Sequence, residues 1–404
     1  MIVFFFYFLQ ISSGAKILDE CVFSPNGDLP DPQPLILQSS TNLEVLYPNT
    51  HLQKSLWGGI KLYRGEFFDL ACPGSTFRDN KKEVVTATCV KDKSVKIGNS
   101  NYILKNLNCS KTPEPTARWT EESCGNGDFK YIEIGYEVEG QFLSLIKVCF
   151  DNNERIAIYS VHTEDPSIYS YQRSYPRVSF EQGQFYKDAM KNVNSVYSIN
   201  KQREQISNIL GSKSLGNKYI GGTNDGYFLA RGHLSAKADF VYGALQTATF
   251  FYVNVVPQWQ VFNAGNWAAL EDSVRTFVSN YEDKVVIYTG TYGVTTLPDS
   301  KGVDKELYLY STSKYNLLPV PKLMWKLLYV ENISSGIVFI GVNNPYLTEV
   351  TSDYLICEDV CDKISWLTWD QTNIKKGFSY CCEVNDFFKT VTTLPELNVT
   401  SILK

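Results

Sequence analysis

Polar residues of the kinds that hydrolyse phosphate esters are concentrated between residues 227 and 275. His233 can accept a proton from water near neutral pH, because the unperturbed pKa of an imidazole is about 6.5. Asn263 and Glu271 offer oxygen ligands for a hard cation, and Arg275 can bind a phosphate through two hydrogen bonds. A base, cation ligands and a phosphate-binding group together suit the hydrolysis of a phosphodiester.

Asn263, Trp267, Glu271 and Arg275 follow one another at intervals of four residues. Side chains at this spacing share one face of a helix, so we expect a helix over 264–280 that presents them to the site. A face made of Asn, Glu and Arg with one Trp is a poor stripe for core packing. The pattern therefore favours a functional helix face.

Each of these residues also has an ordinary structural interpretation. An isolated His such as His233 is more often a satisfied structural residue than a base, and Asn263 could simply cap the helix that follows it. Glu271 and Arg275 alone would be a common surface pair worth about 0.3–0.5 kcal/mol. The ordered combination of all of them favours the functional interpretation.

The neighbouring runs predict the elements that position this segment. Apolar residues predict a helix over 185–210 and strands over 227–230 and 250–256, on either side of His233. Four later apolar runs, at 285–288, 307–310, 327–330 and 336–341, predict strands of a larger sheet.

The ten cysteines divide into six before residue 150 and four after residue 350. In an exported chain this division predicts three disulfides in the first group and two in the second, with the pairing left open. Adjacent Cys381 and Cys382 are expected to bond to different partners. Runs of alternating strand pattern between residues 20 and 150 predict a cysteine-rich β module over 16–150, followed by a second domain over 151–404.

The first residues are apolar and end in small residues, which is typical of a secretory signal peptide over 1–15, with a buried N-terminal strand as the alternative. Together with the cysteines, this predicts a secreted, extracellular protein with no membrane span. Three sequons, at Asn108, Asn332 and Asn398, permit glycosylation on that route. The net charge of −5 argues mildly against a nucleic-acid ligand, although a local basic groove can lie on an acidic protein.

The segment Ala-Arg-Gly-His-Leu at 230–234 and the segment Asn-Val-Val-Pro-Gln-Trp-Gln at 254–260 resemble those of the DNA/RNA non-specific endonucleases. The form of both motifs is similar to the secreted arthropod branch, which includes gut and salivary double-stranded ribonucleases. The resemblance implies an α+β fold, in which a ββα-metal nuclease domain has a central antiparallel sheet flanked by helices and follows the cysteine-rich module.

The resemblance also implies roles by position. His233 matches the general base, Asn263 the direct ligand of Mg²⁺, and Glu271 the carboxylate that holds a water on the metal. Arg275 and Asn254 match residues that stabilise the phosphate and the site, and Arg231 lies beside the base where it can contact substrate. Mn²⁺ is expected to substitute for Mg²⁺. The implied substrates are single- and double-stranded DNA and RNA, cut to leave 5′-phosphate ends, with no obligate protein partner.

Ala230 departs from the pattern of bacterial and mitochondrial members, which carry Asp at that position. Loss of this carboxylate removes a negative charge near the metal and is expected to lower turnover. The arthropod motif often has Ala there, so we interpret it as a trait of that branch. The alternative hypothesis is a secreted nucleic-acid-binding protein on the nuclease fold with weak or no catalysis.

Overall fold

The computed structural model describes residues 19–49 and 58–404, so the predicted signal peptide lies outside the described residues. The N-terminal part is a small β module in which β2-β4-β5-β6-β7 form one sheet and β1 pairs with β3. Disulfides Cys21–Cys89 and Cys72–Cys109 fasten it. Its strands are β1 (Glu20–Phe23), β2 (Leu35–Gln38), β3 (Ile60–Tyr63), β4 (Phe67–Ala71), β5 (Val84–Lys91), β6 (Ser94–Ile97) and β7 (Ser100–Ile103).

The remaining strands are β8 (Thr116–Cys124), β9 (Phe129–Val138), β10 (Gln141–Asp151), β11 (Ile156–Glu164), β12 (Leu229–His233), β13 (Val255–Trp259), β14 (Val285–Val294), β15 (Thr296–Pro298), β16 (Asp304–Glu306), β17 (Tyr308–Ser311), β18 (Asn316–Pro319), β19 (Pro321–Val330), β20 (Ser335–Val342), β21 (Ser379–Cys382) and β22 (Ser401–Ile402). The four later apolar runs predicted as strands lie in β14, β17, β19 and β20.

A nine-stranded sheet forms the centre of the chain, in the order β21-β20-β19-β14-β11-β10-β9-β8 with β22 beside β20. Its neighbouring strands are antiparallel, except for the parallel pair β20 and β22. The predicted central antiparallel sheet is confirmed.

The boundary predicted at residue 150 falls inside β10. Strands β8 to β11 pair with one another and then, through β11, with β14, so the sheet continues across that position. The disulfide Cys124–Cys149 accordingly lies in the central sheet and not in the module. The prediction followed the clustering of cysteines, whereas strand pairing sets the boundary, and the module's second disulfide ends at Cys109.

The chain has seven short or medium α-helices within the described residues: α1 (Val193–Val196), α2 (Ile199–Leu210), α3 (Lys213–Tyr219), α4 (Gly243–Thr247), α5 (Gln260–Phe262), α6 (Ala268–Ser279) and α7 (Val384–Phe387). The helix predicted over 185–210 therefore begins later than expected. Phe185 is instead held in a turn region by the rings of Trp119 and Phe150, at centroid distances of 5.4 and 6.4 Å. Tertiary packing overrides helix propensity there.

Two strands around His233 differ in their bounds from the expectation. The strand predicted over 227–230 lies at Leu229–His233. The predicted strand over 250–256 is displaced to Val255–Trp259, because residues 252–254 form a single 3-10 turn. The pair β12–β13 followed by α6 nevertheless gives the expected ββα arrangement. Together with the central sheet it confirms the α+β fold class.

Different elements pack against the two faces of the central sheet. Helix α6 and the loop after β12 lie over one face. The other face packs against the C-terminal segment, which contributes Phe387, Val391 and Leu394 to a second apolar core. Disulfides Cys357–Cys382 and Cys361–Cys381 fasten that segment. The three-plus-two division of disulfides and the separate partners of Cys381 and Cys382 are confirmed.

Candidate active site

His233 ends β12 and is positioned by aromatic packing. Its ring lies between Phe180 and Phe250, each at a centroid distance of 5.2 Å. Burial, and then the charge of Arg177, lower its pKa to about 3, against the opposing effect of Asp239. Within the described chain, Nε2 has no hydrogen-bond partner. His233 is therefore a neutral imidazole, as a general base requires.

Asn254 fixes the loop that follows His233. Its Oδ1 accepts a hydrogen bond from the Ser235 backbone N–H at 3.0 Å. Its Nδ2 donates to the carbonyls of Ser235 and Thr249 at 2.9 and 3.0 Å. Asn254 is fully buried and does not line the cavity described below. Asn254 therefore supports the loop after His233, whereas the other predicted site residues line the cavity itself.

The predicted helix 264–280 begins with a wide π turn, Asn263–Trp267, before α6. The turn forms where Gly265 lies against the backbone of Lys376 and Asn266 donates to the carbonyls of Asp370 and Gly377. The wider turn changes the four-residue register. Asn263, Glu271 and Arg275 line the cavity, but Trp267 is buried under the helix against Phe262.

Asn263, at the start of the π turn, and Glu271, in the first turn of α6, both line the cavity. The Asn263 Nδ2 donates to the Gln260 Oε1 at 3.1 Å, which leaves its Oδ1 for a ligand. Burial, and then the charge of Asp239, raise the pKa of Glu271 to about 7, although Lys326 and Arg275 oppose the rise. A cation bound beside this carboxylate would favour its ionised form. The amide and carboxylate oxygens therefore fit a hard divalent cation.

The cavity between these elements has a volume of about 410 Å³ and is strongly basic. His233, Asn263, Glu271, Arg275 and Arg231 line it, so the structure brings together all predicted site residues except Asn254. Arg231 is held in place by the Tyr252 hydroxyl, to which its Nε donates at 3.0 Å, and its guanidinium lies 4.9 Å from the Tyr197 ring.

Sequence reasoning missed three further cations of the cavity, Arg173, Arg177 and Lys237. Arg173 and Arg177 belong to the irregular segment before α1, where no motif or periodicity marks them. With Arg231 and Arg275 they give five cationic side chains against one carboxylate, Glu271. A basic groove thus lies on a protein whose net charge is −5. Such a groove can attract a polyanion although the protein as a whole is acidic.

Directly beneath the cavity, His162, Glu164 and Asp239 bring a ring nitrogen and carboxylate oxygens within 4.8 Å of one another. These residue types can hold a metal ion. Two cations stand beside them, however, because both Lys326 and Arg275 act on the charges of Glu164 and Asp239. The cluster therefore has counter-charges of its own.

The buried state of His162 predicts a measurable dependence of stability on pH. Burial lowers its pKa to about 4, while in the unfolded chain it titrates near 6.5. Between these values only the unfolded state takes up this proton, so the group's contribution to stability is present above pH 6.5 and lost towards pH 4. As the pH falls through that interval, the free energy of unfolding of His162→Gln, measured with urea, should rise relative to that of the wild type. The expected rise is up to about 1.4 kcal/mol per pH unit. Parallel curves for the two proteins would contradict this.

The sequence profile of the DNA/RNA non-specific endonucleases matches residues 126–387 of this chain. The chain belongs to that family. It is 30% identical over 338 residues to the "Salivary endonuclease" of Lutzomyia longipalpis, covering 82% of this chain and 74% of the relative. It is 23% identical over 404 residues to the "Salivary protein Tsal2A" of Glossina morsitans morsitans, covering 98% and 97%.

A solved structure, that of the EndoG/EndoGI complex, shares 16% identity with this chain, with a TM-score of 0.35 over 65% of this chain and 89% of that one. The profile match starts at residue 126, in the turn between β8 and β9 of the central sheet, and leaves out the module described above.

Two structural features bear on the compartment. Five disulfides bond all ten cysteines, and disulfides persist mainly in oxidising environments. In residues 19–49 and 58–404, no helix is both long and apolar enough to cross a membrane.

Proposed function

We propose that the chain is a secreted endonuclease that hydrolyses the phosphodiester bonds of DNA and RNA, including double strands, with little sequence preference. One observation carries the proposal. The ring of a neutral His233 lines the same basic cavity as Asn263 and Glu271. That cavity is the place where a phosphate, a water and a cation can meet the base.

His233 takes the proton of the attacking water through its neutral imidazole. The rings of Phe180 and Phe250 hold the imidazole plane, so the base needs no reorientation when substrate arrives. Arg275 and Arg231 bind the non-bridging oxygens of the scissile phosphate, and Asn254 keeps the loop after the base in place. Arg173, Arg177 and Lys237 bind flanking phosphates from the rim.

Asn263 and Glu271 would hold one Mg²⁺ or Mn²⁺, Asn263 directly and Glu271 through a water. When bound, such an ion neutralises charge that builds on the phosphoryl oxygens. Glu271 also holds the water that can give a proton to the leaving 3′ oxygen. Release of that oxygen leaves the phosphate on the 5′ side.

Lack of selectivity follows from the chemistry of the cavity wall. Its charged groups suit phosphates, which carry no sequence information and occur equally in DNA and RNA. Export follows from the five disulfides and from the apolar leader predicted over 1–15, and the exposed Asn332 and Asn398 are available for glycans.

The rival hypothesis is a nucleic-acid-binding protein with little turnover, and Ala230 is the residue that favours it. Ala230 pairs with Gln258 on β13, one position before Arg231. The presence of Ala at this position leaves His233, Asn263, Glu271 and Arg275 in the cavity. We therefore favour the endonuclease over the binding protein.

The metal requirement tests the proposal. Removal of divalent cations with EDTA should abolish cleavage of plasmid DNA, and Mg²⁺ or Mn²⁺ should restore it. The measurement is the rate of nicking on agarose gels, with Na⁺ added to equal ionic strength as the control, because salt alone weakens binding. Undiminished cleavage in excess EDTA would eliminate the metal-assisted reaction.

A further inference from the structure

The face of the central sheet beneath α6 carries a row of buried polar side chains. Ser160, His162 and Glu164 alternate along β11, and the register places Thr289 opposite Ser160 and Lys326 opposite Thr289. Each is at most 3% exposed. We call these five residues the polar floor. Burying five polar groups on one sheet face costs free energy unless they have polar partners. Their contacts therefore show what keeps them in the interior.

Asp239 connects the polar floor to α6. Its Oδ1 accepts from the Arg275 Nη1 at 3.2 Å. Its Oδ2 accepts from the Ala236 backbone N–H at 3.0 Å and lies 3.5 Å from the His162 Nε2. Asp239 is 5% exposed and does not line the cavity. It therefore contacts the back of Arg275 from outside the substrate's reach.

The same contacts lead back to the loop that carries the base. The His162 Nδ1 lies 2.9 Å from the Ser235 Oγ, which in turn lies 3.0 Å from the Ser160 Oγ. Ser235 is two residues after His233, and Asn254 holds its backbone. Asp239 thus joins the loop after His233 to Arg275 on α6, through its hydrogen bonds with the Ala236 backbone N–H and the Arg275 Nη1. His162 lies between Asp239 and Ser235.

The Arg275 side chain depends on few other contacts for its orientation. Within the described residues, its Nε has no hydrogen-bond partner. Its second carboxylate contact, Asp272 at 3.4 Å, has a side chain that is 76% exposed, and such a surface pair contributes little. Lys326 balances the charge that Asp239 brings into the interior; it donates to the Thr289 Oγ1 at 2.7 Å.

We propose that Asp239 is a positioning residue that fixes the Arg275 guanidinium towards the cavity and couples α6 to the loop carrying His233. This inference rests on the proposed function, because it assigns Asp239 an effect on the reaction through Arg275. It predicts that losing the contact lowers kcat, since misplacing a catalytic group by about 1 Å can cost roughly 100-fold.

A double-mutant cycle tests the proposal. Asp239→Asn should lower kcat on plasmid DNA by about 10–100-fold and change KM by less than about threefold. In an Arg275→Ala background the same change should cost less than about threefold, because the side chain through which it acts is gone. Equal factors in both backgrounds would show a merely structural role and overturn the inference.

Asp272→Asn is the matched control, since it removes the other carboxylate that contacts Arg275. It should leave kcat within about twofold. Melting temperatures of all variants check the fold. If Asp239→Asn does not fold, Asp239→Glu, which keeps the charge but moves it, replaces it in the cycle.

A second readout needs no cleavage. In protein labelled with ¹⁵N-arginine, the Arg275 Nε–Hε signal should report a rigid side chain in wild type and in Asp272→Asn, and a mobile one in Asp239→Asn. A side chain equally rigid in Asp239→Asn would overturn the inference even if the wild type cleaves. A wild type that does not cleave would refute the proposed function, while the NMR result still decides the positioning role.

Discussion

His233→Ala is expected to reduce the cleavage of plasmid DNA by about 10²–10⁴-fold. The substitution removes the only uncharged imidazole that opens onto the cavity, among the residues the structure describes. DNA binding should persist within about threefold, because the five cations that line the cavity are unchanged. The measurements are nicking rates in Mg²⁺ and gel retardation in Ca²⁺ or EDTA.

His162→Gln is the control for this result. His162 is equally buried, but it faces the polar floor and does not line the cavity. Its replacement should cost far less than that of His233. If His233→Ala cleaves at the wild-type rate, another group takes the proton and the assignment of the base is wrong.

Glu271→Gln is the second change with a large expected effect. It keeps the shape of the side chain but removes the carboxylate charge that the cation and the proton-donating water need. We expect a loss of about 10²–10⁴-fold in kcat, with a higher Mg²⁺ concentration at half-maximal rate. Steady-state rates across a Mg²⁺ titration measure both quantities.

Asp272→Asn again provides the comparison, because it removes the neighbouring carboxylate on the exposed side of α6. A Glu271→Gln variant that keeps the wild-type Mg²⁺ dependence would show that Glu271 does not serve the cation. A variant as stable as wild type but inactive would support the assignment, because the loss of activity would then not come from misfolding.

The sequence predicted which residues would line one cavity better than it predicted the bounds of the strands and helices. The types and order of His233, Asn263, Glu271 and Arg275 were readable because each is a local motif on one strand or helix. The structure adds what depends on distant contacts. The π turn at Asn263–Trp267 forms against the segment around Lys376, more than 100 residues away, and it moves Trp267 off the cavity face.

The same reason explains the residues that were missed. Arg173 and Arg177 reach the cavity from an irregular segment, so no periodicity identified them. Asp239 lies inside the motif region, but its contacts could not be read from the sequence. It is buried beside His162, which is 77 positions earlier on β11. The module boundary likewise could not be read from the cysteines. The strands on both sides of residue 150 pair with one another, and the spacing of cysteines gives no information about strand pairing.

The most direct test of the central claim is incubation of the purified protein with supercoiled plasmid DNA and with long double-stranded RNA in Mg²⁺, beside Glu271→Ala. The proposed function predicts that the wild type degrades both polymers to short fragments with 5′-phosphate ends and that the variant leaves both intact. Polymers that stay intact but are retarded on the gel by the wild type would contradict it. That result would instead identify a nucleic-acid-binding protein, with Ala230 as the first position to restore to Asp.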